Sequence, residues 1–227
     1  MYVPGLAKLQ APAFRPIRHI NTRVHFANLI SVSCWPMVDQ TKVLLILRAA
    51  GELLDERGFD ELNTTEIARR AGVSTATLYR HFPDKYSILK AVVTHLQGRR
   101  SHLAWSHLER LATEPDWRQV VNDVTMAIYK MRISEPGGRS SRRMLNYTTE
   151  LRELGEEMQR RLAKEVARRM RQRKPGLNKQ TAERVSLTAL SGLVAILDLA
   201  GGEPRNGKRF AQEGAEMACA YLAPYLD

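Results

Sequence analysis

Cysteine is almost missing from this chain. Cys34 and Cys219 are the only two in 227 residues, far apart in sequence. That rules out a disulfide framework and fits a reducing, cytoplasmic setting. Long hydrophobic runs are missing too. The longest, Leu193 to Ala200, is interrupted by Asp198 and is too short to span a bilayer, so no membrane partner is expected. The N-terminus has no continuous apolar segment of the kind a secretory signal needs. Strand-like alternation of any length is absent, as is any internal repeat, which leaves an all-α fold. No nucleophile elbow, phosphate-cradling glycine loop or paired metal ligands occur, so neither an enzyme nor a cofactor is expected. His95, His102 and His107 invite a metal reading. Their spacings of seven and five do not share one helical face, and no clustered cysteine or carboxylate completes a set.

Acid is lacking in one place only. Residues 1–38 carry four Lys or Arg, four prolines and no Asp or Glu. This composition predicts a mostly disordered basic arm, either a DNA-touching extension or an unstructured leader ahead of Met37. The whole chain has 35 Lys and Arg against 24 Asp and Glu, a formal charge of +11. A basic chain suits a polyanionic partner. The charge is spread out, however, so it supports nucleic-acid binding only weakly.

What is present is a dense local pattern from Thr64 to Lys85, TTEIARRAGVSTATLYRHFPDK. Asn63 is a good N-cap, and Glu66 three residues on completes the sequence of a capping box. Ile67, Ala68 and Ala71 give a short helix one inward face. Gly72 allows a sharp turn, and Val73 plugs the corner. Ser74 caps a second helix whose Leu78 and Phe82 lie four apart on its buried side. Thr75, Ala76, Thr77, Tyr79, Arg80 and His81 are left mostly outward. Small residues followed by hydrogen-bonding ones suit a helix that presses against base edges in a major groove. Pro83 stops this helix and Asp84 caps the next.

These residues resemble the TetR family of bacterial transcriptional regulators. The resemblance runs from about Ile46 to Leu89. It is strongest at Ile67–Ala68, Ala71–Gly72–Val73–Ser74, Thr77–Leu78–Tyr79, His81–Phe82 and Lys85, with Ala49–Ala50, Leu54 and Gly58–Phe59 upstream. It implies a helix-turn-helix DNA-binding domain over residues 39–84. Residues 85–227 would then form a helical effector-binding and dimerisation domain. It also implies a homodimer on a palindromic double-stranded operator, most simply a repressor released by a small-molecule effector. Lys85, Tyr79 and His81 become phosphate contacts. Thr64 and Thr65 sit where hydroxyls and free N–H groups hold phosphate. Ser74, Thr75, Ala76, Thr77 and Arg80 complete the reading surface. A structural or division-control protein on the same scaffold, without an effector, is the alternative.

Elsewhere the pattern is helical but less diagnostic. Asp39 to Arg57 forms the first helix, with Val43, Ile46, Leu47, Ala50 and Leu54 in register. Glu114–Pro115, Glu135–Gly138 and Pro175–Gly176 punctuate the remainder. Met144, Tyr147, Leu151, Leu154, Met158 and Leu162 predict a single helical face. Family resemblance places an effector pocket among the middle helices, where Trp105, Trp117, Met126, Tyr129, Met144 and Tyr147 are candidate walls. The segment from Val185 to Ala200 is apolar nearly all round. With the final helix it supplies the candidate dimer interface: Val185, Ala189, Gly192, Leu193, Ile196, Phe210, Gly214, Met217 and Tyr221.

Overall fold

The structure, a computed structural model, describes residues 37–227, with side chains from Gln40 onward. The expected basic arm lies outside these residues. Among them are nine α-helices and no strand. Helix α1 (Met37–Arg57), α2 (Thr64–Ala71) and α3 (Thr75–His81) form a compact head. Helix α4 (Lys85–Leu108) leaves it and runs into a body of α5 (Trp117–Ser134), α6 (Ser141–Leu145), α7 (Thr149–Arg173), α8 (Lys179–Gly202) and α9 (Gly207–Leu226).

Local chemistry explains the breaks. Asn63 is extended and its side chain accepts from the Thr65 N–H, so α2 starts where a short polar side chain can satisfy a free donor. The reciprocal half of the expected capping box does not form, because the Glu66 carboxylate turns to Arg69 instead. Gly72 ends α2 at φ 67°, a left-handed position that a side chain would strain. The capping box appears one helix later, where the Asp84 carboxylate takes the Ser87 N–H and Ser87 Oγ takes the Asp84 N–H. The single face expected from Met144 to Leu162 is divided between two helices. Thr148 is extended, and its hydroxyl caps α7 by accepting from the Leu151 N–H at 3.1 Å.

Helix α8 shows how run length misleads. Over an 18-residue window its mean hydropathy is 1.7, enough by length and composition to cross a membrane, although no unbroken run is. Its packing accounts for that composition. It lies against α7, α9 and α5, burying Ala182, Val185, Ala189, Leu197 and Ala200. A helix covered on several sides needs apolar residues on several sides.

The cores of head and body are not separate. Ile46, Leu54, Ile67, Leu78, Ile88 and Leu89 form one apolar cluster, and Met144, Leu145 and Leu151 of the body belong to it. Close backbone approach tightens this joint. A Cβ added at Gly51 on α1 would meet the Pro136 carbonyl carbon and oxygen at 2.6 Å. Gly98, in the middle of α4, has open space there. Alanine in place of a helical glycine is ordinarily worth about 1 kcal/mol. The two sites should therefore differ in sign: Gly98→Ala should raise the melting temperature by about 2–4 °C. Gly51→Ala should lower it, by an overpacking cost of about 1–3 kcal/mol. Thermal unfolding of the two variants checks this.

Candidate nucleic-acid interface and interior cavity

Helix α3 buries Leu78, and Phe82 just beyond it, and turns its other side outward. Thr75, Ala76 and Arg80 are exposed, Thr77 and His81 half-buried, and Tyr79 is 51 % exposed despite its ring. Ser74 Oγ accepts from the Thr77 N–H at 3.1 Å and donates to Thr77 Oγ1 at 2.9 Å, which fixes the first turn. Tyr79 OH and Thr64 Oγ1 share a hydrogen bond of 2.9 Å. That bond ties the outer face of α3 to the first turn of α2. Thr65 lies exposed beside it, and the Lys85 ammonium stands over the Phe59 ring, 4.7 Å from its centroid. The ten residues expected to meet DNA thus come from one contiguous stretch, with two helix N-termini and a lysine around a small, mostly polar face.

Two arginines of α2 are engaged within the head. Arg70 donates to both oxygens of Glu56, joining α2 to α1, and Arg69 is paired with Glu66. Hydrogen bonds from these arginines hold the Glu56 and Glu66 carboxyls below the usual carboxylate range. Such exposed pairs contribute little to stability. Their consequence is spatial: Arg69 and Arg70 are held by acids.

A cavity of about 140 Å³ opens between α4, α5, α7 and α8, with α6 at its edge. Its walls are mainly aliphatic, with Val124, Ile128, Met158, Leu162, Leu190, Val194 and Leu197 among them. Its polar groups are Gln97, Arg100, Ser101, Thr125, Arg132, Arg142 and Gln159. None of the six residues expected to wall an effector pocket lines it. Trp117 is buried in the α8–α9 core, and its indole N–H donates to Asp227 at 3.0 Å. Met126 and Tyr129 pack against Leu197, Ala200 and Ala211. Met144 belongs to the head cluster, and Tyr147 packs tilted against Phe59 with centroids 4.6 Å apart. Trp105 is half-buried on α4. Periodicity gave no sign that Arg100, Arg132 and Arg142 converge.

The residues expected at a dimer interface also separate. Val185, Ala189 and Gly214 lie inside the protomer, and Leu193 lines the cavity. Ile196 packs where a Gly214 side chain would stand, and Met217 does the same at Gly192, so these pairs join α8 to α9. Phe210 and Tyr221 are partly buried in satellite clusters. Only Met217 among the nine is well exposed. Beside it an outward stripe at four-residue spacing, Leu187, Ser191, Ala195 and Leu199, was missed by sequence reasoning.

One segment connects the cavity to the head. Residues 135–140, between α5 and α6, lie across α1 and α4. The Asp55 carboxylate of α1 accepts the Gly137 and Ser140 N–H groups, each at 2.8 Å. The Ser140 hydroxyl donates to the Leu54 carbonyl at 2.9 Å. From α4, Arg99 pairs with Glu135 at 2.7 Å, and Arg100 donates to the Gly138 carbonyl and the Ser141 hydroxyl. Leu145 lines the cavity and also belongs to the head core.

The family model for bacterial regulatory proteins of the tetR family matches residues 46–92. A second model, for the tetracyclin repressor-like C-terminal domain, matches residues 116–222. The chain belongs to the TetR family. It is a DNA-binding transcriptional regulator with the family's helix-turn-helix head. An uncharacterised HTH-type regulator of Mycobacterium tuberculosis is 46 % identical over 59 residues, 26 % of this chain and 28 % of that one. The match thus spans under a third of that relative's length. A TetR-family regulator from Mesorhizobium loti has a similar fold, with a TM-score of 0.68 at 19 % identity over 83 % of this chain and 98 % of that one. SmeT, the repressor of a Stenotrophomonas maltophilia multidrug efflux pump, reaches 0.61 at 20 % identity over 78 % and 88 %. Its structure is also known in complex with triclosan.

The clasp on loop 135–140 has a measurable weight. Asp55→Ala leaves two backbone donors without their charged acceptor, at a cost of about 1.5–3 kcal/mol. Denaturant unfolding should show that loss. Hydrogen exchange should show faster opening at Gly137 and Ser140, with α9 amides following only the global change.

Proposed function

We propose that this TetR-family regulator is a repressor. It binds a palindromic operator as a homodimer and is released when a small molecule enters the cavity between α4, α5, α7 and α8. The observation that carries this reading is the double duty of Leu145 and loop 135–140. Leu145 lines the cavity and belongs to the head core, and the loop is held by Asp55 of the head on one side and by Arg100, a cavity-lining residue, on the other. A ligand that displaces them changes how α1 and α4 are held, and with that the aim of α3. The SmeT–triclosan complex supports the idea that a relative of this fold accepts a small apolar molecule. Two-fold symmetry places the two α3 helices in successive major grooves, ~34–36 Å apart.

Tyr79 and Lys85 are assigned to phosphate, with Thr64, Thr65 and His81 beside them, and Thr75, Ala76, Thr77 and Arg80 to the groove. Gel-shift and footprinting on the DNA upstream of the protein's own gene test the assignment. The expected result is a palindromic footprint that is lost in Tyr79→Ala. Lys85→Ala should weaken binding across sequences and reduce the slope of log K against log salt by about 1. Salt-sensitive binding without a footprint, indifferent to Tyr79, would overturn the repressor reading.

The partner surface is assigned to the outward stripe of α8 with Met217 of α9. Leu187, Leu199 and Met217 are exposed apolar side chains that a second copy would cover. Sedimentation should show a dimer for the native chain and a monomer for Leu199→Arg. A Leu199→Arg variant that stays dimeric places the interface elsewhere.

A further inference from the structure

We propose that the cavity takes a compact organic monocarboxylate: an acid head held by Arg100 and Arg132, and an apolar body of one ring or a short chain against the aliphatic wall. The inference rests on the effector reading above and supplies its chemistry. Three guanidiniums, those of Arg100, Arg132 and Arg142, line the cavity; Asp198 pairs with the last two, while Asp55, the other carboxylate that acts on Arg100, is turned to the backbone N–H groups of Gly137 and Ser140. Both Asp198 oxygens are already engaged: Oδ1 by Arg132, and Oδ2 by Arg142 Nε at 3.2 Å. Arg100 is left with neutral acceptors, the Gly138 carbonyl at 3.2 Å and the Ser141 hydroxyl.

Two donors remain. The Nε–H groups of Arg100 and Arg132 are buried and meet no acceptor among the described residues. Arg132 is only 4 % exposed. Buried N–H donors are nearly always satisfied, and a buried cation in excess of its counter-charges is more costly still. Burial and the neighbouring Arg132 push the Arg100 guanidinium down to about 9, so at neutral pH it still carries its charge. An anion beside these arginines in the cavity, reached by a turn of the guanidiniums, would supply both an acceptor and a counter-charge. Planar carboxylates match the guanidinium fork and can engage two of its N–H groups together.

The rest of the cavity sets the body. Val124, Ile128, Leu190 and Leu197 make the wall mostly aliphatic, and of the uncharged polar groups the Thr125 hydroxyl already donates to the Val121 carbonyl and the Gln159 amide to Ser191, so the body of the ligand is mainly apolar. A cavity of about 140 Å³ is close to the roughly 150 Å³ that suffices for benzene in an engineered apolar site. Anions with several charged groups would strand charge against the aliphatic wall. That favours a monocarboxylic acid over a sugar phosphate or a nucleotide.

The test is isothermal titration of the full chain, without DNA, with benzoate, 3-phenylpropionate and hexanoate, and with the corresponding primary amides. The amides keep shape and remove charge. At least one acid should bind at sub-millimolar Kd, and its amide at least tenfold more weakly. Arg100→Met should erase the preference for acid, and Arg161→Gln, an exposed position on α7, should keep it. The acid–amide comparison on the native chain needs no variant, so a poorly folding Arg100→Met leaves the proposal testable. Equal binding of acid and amide, or no binding by any of the three acids up to 5 mM, overturns it. Because no DNA is present, either negative result leaves the operator reading standing. An acid that binds yet fails to shift the footprint upholds the site and overturns the release step.

Discussion

The contact on which the rest depends is the clasp of loop 135–140 by Asp55. A helix-turn-helix head is small, and its own core could fold against α4 alone. Here α1 also offers a carboxylate to two backbone N–H groups of the body, and Gly51 and Gly137 let the two backbones approach within contact distance. That removes slack between head and body. Rotation of α1 has to move the loop, and movement of the loop is felt at Arg99 and Arg100 on α4. The apolar side of the same joint is formed by Met144, Leu145 and Leu151, which fill the head core from the body. Hydrogen bonds set the register of the joint, and burial supplies its cohesion.

The reading head was largely legible in the sequence because its contacts are local. Asn63, Gly72, Ser74 and Asp84 act on groups a few residues away, and the rhythm of Ile67, Ala68, Ala71, Leu78 and Phe82 already says which side is covered. The finer prediction at Glu66 failed for a local reason as well: a bidentate arginine three residues on is a better partner for that carboxylate than one backbone N–H. The cavity was not legible. Its lining comes from five helices over some hundred residues, and periodicity says that a face is apolar without saying what it faces. Bulk drew attention to Trp117, Tyr129 and Tyr147, yet large rings are what a core uses to fill volume. The chemically distinctive residues of the cavity, Arg100, Arg132 and Arg142, stand on three different helices, and nothing in their sequence spacing sets them apart from other charged positions.

Helix α8 sets a similar difficulty. An all-round apolar helix contains every possible stripe, so the sequence could not rank them. Packing does. Leu193 and Leu197 face the cavity, Ile196 meets Gly214, and Leu187, Ala195 and Leu199 are left outside. One helix thus walls the ligand site and carries the surface assigned to the second copy. On that assignment, a change in the cavity wall is one helix width, about 10 Å, from a neighbour that has a cavity of its own.

This proximity bears on how much work one ligand can do. A ligand shifts a two-state equilibrium only by the difference in its affinity for the two states, and a near-complete switch needs about 5.5 kcal/mol. In the conformation described here Arg100 is occupied by Gly138 and Ser141. A carboxylate that competes for it gives up part of its own binding. In a conformation where loop 135–140 has let go, the guanidinium is wholly available. The difference is about the value of one or two hydrogen bonds to a charged group, roughly 1.5–3 kcal/mol each at most. One cavity therefore falls short of, or barely reaches, a full switch. Two cavities in the proposed homodimer, biasing the same pair of reading heads, bring the sum into range. On this argument release should be graded with the first ligand and complete only with the second. The coupling then resides in Arg100, for which the ligand and loop 135–140 compete, and in the hold of that loop on the head.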